Sequence, residues 1–124
     1  MKVLVIDDQL DAARLLVLLL KMNGYEADRL EENWEHLVAE VEARRPDLLI
    51  LDVRLPGVDG LELVRQLRAH SDPEIAGVPV LLASALDHRH DAKLVGANGF
   101  LMKPYTRDSL MKAIQIIQEE CSIQ

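Results

Sequence analysis

The stretch PDLLILDVRLPGVDGLEL, residues 46–63, decides the fold. Pro46 ends the element before it, because a proline pushes the preceding residue out of the helical region. LLIL (48–51) is then a continuous apolar run of strand length, the pattern of a strand buried on both faces. It stops at Asp52. Pro56-Gly57 marks a turn. Asp59 is an N-cap for the next helix, with Glu62 three residues on as in a capping box. Leu61, Val64 and Leu67 then recur on one helical face. A buried strand, an aspartate at its carboxyl end, a turn and a helix make one β-α unit.

The unit recurs on either side. KVLVI (2–6), VPVLLA (78–83) and FLM (100–102) are further apolar runs of strand length, and the weaker YEADRL (25–30) reads as an edge strand. Trp34, Leu37, Val38 and Val41 follow i, i+3, i+4, i+7, as do Leu110, Ala113, Ile114 and Ile117. Asn33 and Thr106 are N-cap candidates, and breaks fall at Asn23-Gly24, Arg45-Pro46 and 96–99. Five β-α units in succession predict an α/β fold: a doubly wound five-stranded parallel sheet with right-handed connections, one domain over 1–124. In such folds the site lies at the carboxyl ends of the strands.

Composition narrows the function. The chain has 124 residues, 14 basic against 21 acidic, a net charge of −7. That balance lacks the basic footprint of a nucleic-acid binder and fits protein or cationic partners. With Tyr25, Trp34, Phe100 and Tyr105 as its aromatic residues, the chain needs an aliphatic core. The single cysteine, Cys121, suits a reducing compartment, so a cytoplasmic protein is expected. LLVLLL (15–20) is the longest apolar run, far short of the ~20 residues of a membrane span, and no leader pattern opens the chain.

The predicted carboxyl edge gathers chemistry. Strand 1 ends in Asp7-Asp8, strand 3 in Asp52, strand 4 in Ser84-Ala85 and strand 5 in Lys103-Pro104. Alone, Asp-Asp after a strand reads as a helix cap and Lys-Pro as a turn. Together they put three carboxylates, a hydroxyl and an ammonium on one edge. Crowded carboxylates resist ionisation unless a cation offsets them, and an all-oxygen set with room for waters suits Mg²⁺. A carboxylate there can act as nucleophile and form an aspartyl-phosphate.

VLVIDDQ (3–9), residues 46–63, PVLLASA (79–85) and GFLMKPY (99–105) together resemble the receiver domains of two-component response regulators, over the whole chain. The resemblance implies a flavodoxin-like (βα)5 fold, strand order 2-1-3-4-5. It implies that Asp52 accepts a phosphoryl group from a sensor histidine kinase or histidine phosphotransfer protein. Asp7, Asp8 and Asp52 would hold Mg²⁺ with the backbone carbonyl of Arg54. Ser84 and Lys103 would contact the phosphoryl group, Phe100 would be the aromatic switch, and Lys103-Pro104 would be cis. The implied protein catalyses only its own phosphorylation and dephosphorylation and signals by switched partner binding. A downstream target or a fused effector would read it, and self-association could use helix 1 or the face of helix 4, strand 5 and helix 5.

The chain departs from the family in three places. The segment between Ser84-Ala85 and Lys103 is about one turn short, which predicts an abbreviated or partly unwound fourth helix. Arg54, two after Asp52, and Leu86, two after Ser84, cannot act as bases for water, so a long-lived phosphorylated form is expected. Helix 1 is apolar over about 260° of its circumference, where one buried face needs roughly 100°, so part of it must be exposed or covered by another chain. Among smaller features, DHRHD (87–91) reads as a solvated helix start, Cys121 as a small apolar contact, and Arg44-Arg45 as helix-end charges. Three other readings compete. A haloacid-dehalogenase-like phosphohydrolase would want a second acid two residues after the nucleophile, where Arg54 stands. A receiver that is never phosphorylated would not need the intact acidic set. The chain could also be the receiver part of a larger transcription factor; if instead it is complete, output is by protein contact.

Overall fold

The computed structural model describes residues 1–122. In chain order it contains β1 (Lys2–Ile6), α1 (Leu10–Met22), β2 (Glu26–Arg29), α2 (Leu37–Arg44) and β3 (Leu48–Asp52). A ribbon of β4 (Arg54–Leu55) and β5 (Val58–Asp59) comes next, then α3 (Gly60–Arg68) and α4 (Pro73–Ala76). The chain continues with β6 (Val80–Ser84), α5 (Arg89–Val95), β7 (Gly99–Met102) and α6 (Arg107–Glu120). The sheet is five-stranded and parallel, in the order β2-β1-β3-β6-β7. Counting the sheet strands alone, this is the expected 2-1-3-4-5, because β4 and β5 pair only with each other.

The two faces of the sheet explain why the central strands are apolar throughout. Leu4, Ile6, Leu49, Leu51, Val80 and Leu82 pack toward α2, α3 and α5. Their neighbours Val3, Val5, Leu48, Ile50 and Leu81 pack toward α1 and α6, against Leu16, Leu20, Leu110 and Ile114. Alternation still operates, but both sides are dry, so every position is apolar. Each such side chain contributes about 1.5–3 kcal/mol on leaving water. At the edge, β2 alternates exposed and half-buried residues, which is why its sequence signal is weak.

Several local expectations need correction. Asn33 does not cap a helix with its side chain: it is left-handed (φ 62°) and precedes a 3₁₀ turn, Trp34–His36, with α2 starting only at Leu37. Asn tolerates that conformation better than most residues. Asp59 does cap α3, accepting the Leu61 N–H at 2.9 Å, but Glu62 closes no capping box and pairs with Arg65 instead. Thr106 caps α6 in a full box with Ser109. α4 was not foreseen, although Asp72-Pro73 is a cap followed by an N1 proline. The fourth sheet strand starts at Val80 rather than 78. The abbreviated helix is present as α5, seven residues ended by left-handed Gly96 (φ 90°).

Candidate functional site

Parallel strands end on the same edge, so β1, β3, β6 and β7 deliver their last residues to one place. Asp7, Asp8 and Asp52 each place a carboxylate oxygen within 4.8 Å of the other two. Asp7 and Asp52 are buried and Asp8 is exposed. Asp7 is held by the Gln9 N–H, donated to its Oδ1 at 2.9 Å. Lys103, just beyond β7, lies across the cluster: its Nζ is 2.8 Å from Asp52 Oδ1, 2.9 Å from Asp52 Oδ2 and 3.1 Å from Asp7 Oδ2. The register explains the reach, because Ser84 pairs with Met102 and the Lys103 N–H donates to the Ser84 carbonyl at 2.8 Å. The Lys103-Pro104 peptide is cis, as expected.

A cleft of about 560 Å³ opens over Asp52, lined also by Asp8, Arg54, Ser84, Leu86 and Lys103. Ser84 is buried, and its Oγ accepts the Leu86 N–H at 3.1 Å. Phe100 lies outside the cleft, half-buried on β7 beside Leu82 and packed on the α2-α3-α5 side of the core. α3 crowds the end of β3 from behind. Gly60 opens α3 with its N–H donating to the Val53 carbonyl at 2.7 Å, and a Cβ there would collide with the Asp52 carbonyl oxygen.

The electrostatics arise from the crowding. Burial, with the Asp7 charge adding to it, pushes the Asp52 carboxyl up from its ordinary 3.8 to about 7, against the opposing pull of Lys103. Burial works to lower the Lys103 ammonium, but hydrogen bonds and charges from Asp52 and Asp7 outweigh it and hold it above its ordinary value. Burial also raises Tyr105, beside the cluster. A cluster of three carboxylates that a single lysine leaves undercompensated is a donor set able to hold a metal cation.

The deciding comparison is with protein families: the sequence model of the response regulator receiver domain matches residues 3–115. The chain belongs to the response regulator receiver domains. It is 32% identical over 117 residues to the DNA-binding response regulator MtrA of Mycobacterium tuberculosis, covering 92% of this chain and 49% of that protein. It is 31% identical to the phosphate regulon transcriptional regulatory protein PhoB of Pseudomonas aeruginosa, over 93% of this chain and 50% of that one. The receiver thus spans about half the length of these curated relatives. Among solved structures, chemotaxis response regulator CheY4 of Vibrio cholerae superimposes with a TM-score of 0.82 at 30% identity, covering 94% of this chain and 97% of that one. The signal receiver domain of a modulated diguanylate cyclase from Desulfovibrio desulfuricans G20 gives 0.80 at 28%, covering 98% and 96%.

The receiver's α1 carries the apolar surface its sequence demanded. Ala13, Leu16 and Leu20 are buried, whereas Leu15, Leu18 and Met22 remain 67%, 54% and 75% exposed. A groove of about 470 Å³ runs beside Asp7 and Lys103, walled by Ala12, Leu15, Leu16, Leu19, Pro104 and Tyr105. Among the described residues no helix is long and apolar enough to cross a membrane. The DHRHD stretch is only partly solvated. Among the described residues its histidines join no group that could hold a metal. His88 is 22% exposed, with Nε2 buried. Cys121 is half-buried and accepts a hydrogen bond from Asn98 Nδ2 at 3.5 Å, so its contact is polar as well as apolar. Arg45 does more than end a helix: it bridges to Asp72 and Glu74 at 3.0 and 3.4 Å.

Sequence reading missed the place of Gly60 and Tyr105 beside the site, and it put His88 in solvent where the structure half-buries it. For Gly60 the signal was a glycine directly after a cap. For Tyr105 it was an aromatic within GFLMKPY.

Proposed function

We propose that residues 1–124 form a phosphoacceptor domain in which Asp52 takes the phosphoryl group. The observation that carries this reading is Lys103 Nζ at 2.8–3.1 Å from both Asp52 and Asp7, with Asp8 beside them. An Asp52 oxygen attacks phosphorus; the P–N bond of a phosphohistidine breaks, its electron pair leaves with the imidazole, and an acyl phosphate remains. Lys103 and the Ser84 hydroxyl bind the phosphoryl oxygens. Asp7, Asp8, Asp52 and the Arg54 carbonyl would hold Mg²⁺, which supplies the charge that keeps Asp52 ionised and neutralises those oxygens. Ser84 gives up the Leu86 N–H to reach the phosphoryl group, and Phe100 moves inward behind it. Arg54 and Leu86 line the cleft without a base between them, which favours a long-lived phosphorylated form.

The domain performs only its own phosphorylation and dephosphorylation, in the cytoplasm. A sensor histidine kinase or histidine phosphotransfer protein docks an apolar helix along the α1 groove. The readout is a protein contact, on the face of α5, β7 and α6 or through α1, including self-association. It passes to a separate target or, as the half-length match to DNA-binding relatives favours, to a fused effector. This domain binds no nucleic acid itself.

The test uses acetyl phosphate with MgCl₂ and intact-mass detection. One hydroxylamine-labile phosphoryl group per chain is expected, absent with EDTA and in Asp52→Asn. Labelling that survives Asp52→Asn, or steady phosphate release from a generic ester far beyond one per chain, overturns the reading.

A further inference from the structure

The two ends of α5 are held very differently. Its C-terminal end is clamped. Gly96 caps it in the left-handed conformation, and Arg68 Nε donates to the Gly96 carbonyl at 2.9 Å. The same guanidinium donates to the carbonyls of Ala76 and Val78 at 2.8 and 2.7 Å and to Asn98 Oδ1 at 3.0 Å. One arginine therefore ties this end to α3, α4 and the starts of β6 and β7.

The N-terminal end is held only locally, by the Arg89 N–H donated to Asp87 Oδ1 at 3.0 Å. His88 is the N-cap residue but makes no side-chain cap. Its Nδ1 sits 3.9 Å from Asp91 Oδ2, beyond hydrogen-bond range. Its Nε2 is buried with no hydrogen-bond partner among the described residues. A buried ring nitrogen without a partner is costly and rare in a native fold. The ring lines a small cleft with Val53, Arg54, Leu55 and Asp59, the segment directly after Asp52. His88 thus starts on the loop that leaves Ser84 and reaches the loop that leaves Asp52.

We propose that His88 is a positioning residue of the switch: its unpartnered Nε2 penalises the resting arrangement and gains a partner when the 84–88 loop shifts, tilting α5 about its Arg68-clamped end. The inference rests on the phosphoacceptor reading. In the resting state the Ser84 Oγ holds the Leu86 N–H, so when Ser84 leaves for the phosphoryl group the short loop from 84 to 88 is released to rearrange around His88. The clamped end fixes where the tilt is absorbed. An orphaned polar atom in one of two states is a differential free energy between them, which is what a switch requires.

The experiment measures beryllofluoride affinity, in MgCl₂, for the wild type, His88→Phe and His88→Leu. Both substitutions remove the orphaned nitrogen and relieve the resting state, so both should weaken beryllofluoride binding about tenfold, about 1.4 kcal/mol. His88→Phe should also raise the urea midpoint in the absence of beryllofluoride. In the wild type, the imidazole ¹⁵N resonance of His88 Nε2 should shift on binding. Unchanged affinity in a folded variant, even with altered stability, reduces His88 to a packing role and overturns the inference. A wild type that binds no beryllofluoride overturns the phosphoacceptor reading itself, and this inference with it.

Discussion

Without divalent cations, the buried Asp52 carboxylate should work against the fold, and Asp52→Asn should expose by how much. Folding raises the Asp52 carboxyl from 3.8 to about 7, so the folded state favours the neutral form. Well below pH 3.8 both states hold the proton and Asp52 contributes no difference. Between about pH 4 and 7 the folded state binds the extra proton, so stability falls as pH rises; above 7 the full cost is present. A rise from 3.8 to about 7 corresponds to about 4 kcal/mol. An asparagine does not ionise, so its curve lacks this slope. Lys103 is held above its ordinary value and stays charged throughout the window, adding no slope of its own. Asp72, held below its ordinary value first by the Glu74 N–H and then by Arg45, contributes stability that is lost only as pH falls below 3.8, and equally in both proteins. Urea denaturation in EDTA, followed by circular dichroism from pH 4 to 8, gives the comparison. The advantage of Asp52→Asn over the wild type should grow by up to about 4 kcal/mol across that range. At pH 8, 10 mM MgCl₂ should then stabilise the wild type by mass action and the variant far less. Parallel curves across the window, or a wild type that gains on the variant as pH rises, would refute the electrostatic account of the site.

Three further outcomes are expected from the same geometry. Gly60→Ala should cost about 1–3 kcal/mol in urea denaturation despite alanine's better helix propensity, because its Cβ meets the carbonyl of Asp52; a stabilised variant would contradict the close approach. Leu18→Arg on the exposed face of α1 should change stability by no more than about 0.5 kcal/mol. It should slow phosphoryl transfer from a histidine-phosphorylated protein while leaving acetyl phosphate labelling intact, and equal slowing of both would remove α1 from donor docking. Arg54→Asn should shorten the lifetime of the phosphorylated form, read as loss of the labelled mass with time; a wild type that loses the label faster than the variant sinks the long-lifetime reading.

Residues 46–63 show how far one stretch of sequence carries. An apolar run with no polar alternation can only be buried on both sides, and a strand so buried needs helices on both faces. That fixes parallel order, and parallel order places Asp7, Asp8, Asp52, Ser84 and Lys103 on one edge before any coordinate is known. The exposed arc of α1 was legible for the same reason, since a helix cannot bury about 260° of its surface against one sheet. Backbone choices that depend on a single residue's conformation were not legible: left-handed Asn33, and Glu62 preferring Arg65 to a capping box.

What the sequence determined, then, is which elements form and which edge carries the acids, because periodicity and strand direction are local properties. Only the tertiary structure decided how Lys103 divides itself between Asp7 and Asp52, how far burial lifts the Asp52 carboxyl, and that His88 shares a cleft with the segment after Asp52 while its neighbours His90 and Asp91 stay in water. Those outcomes depend on distances between segments far apart in the chain and on the water excluded between them, and neither is written in any one stretch of sequence.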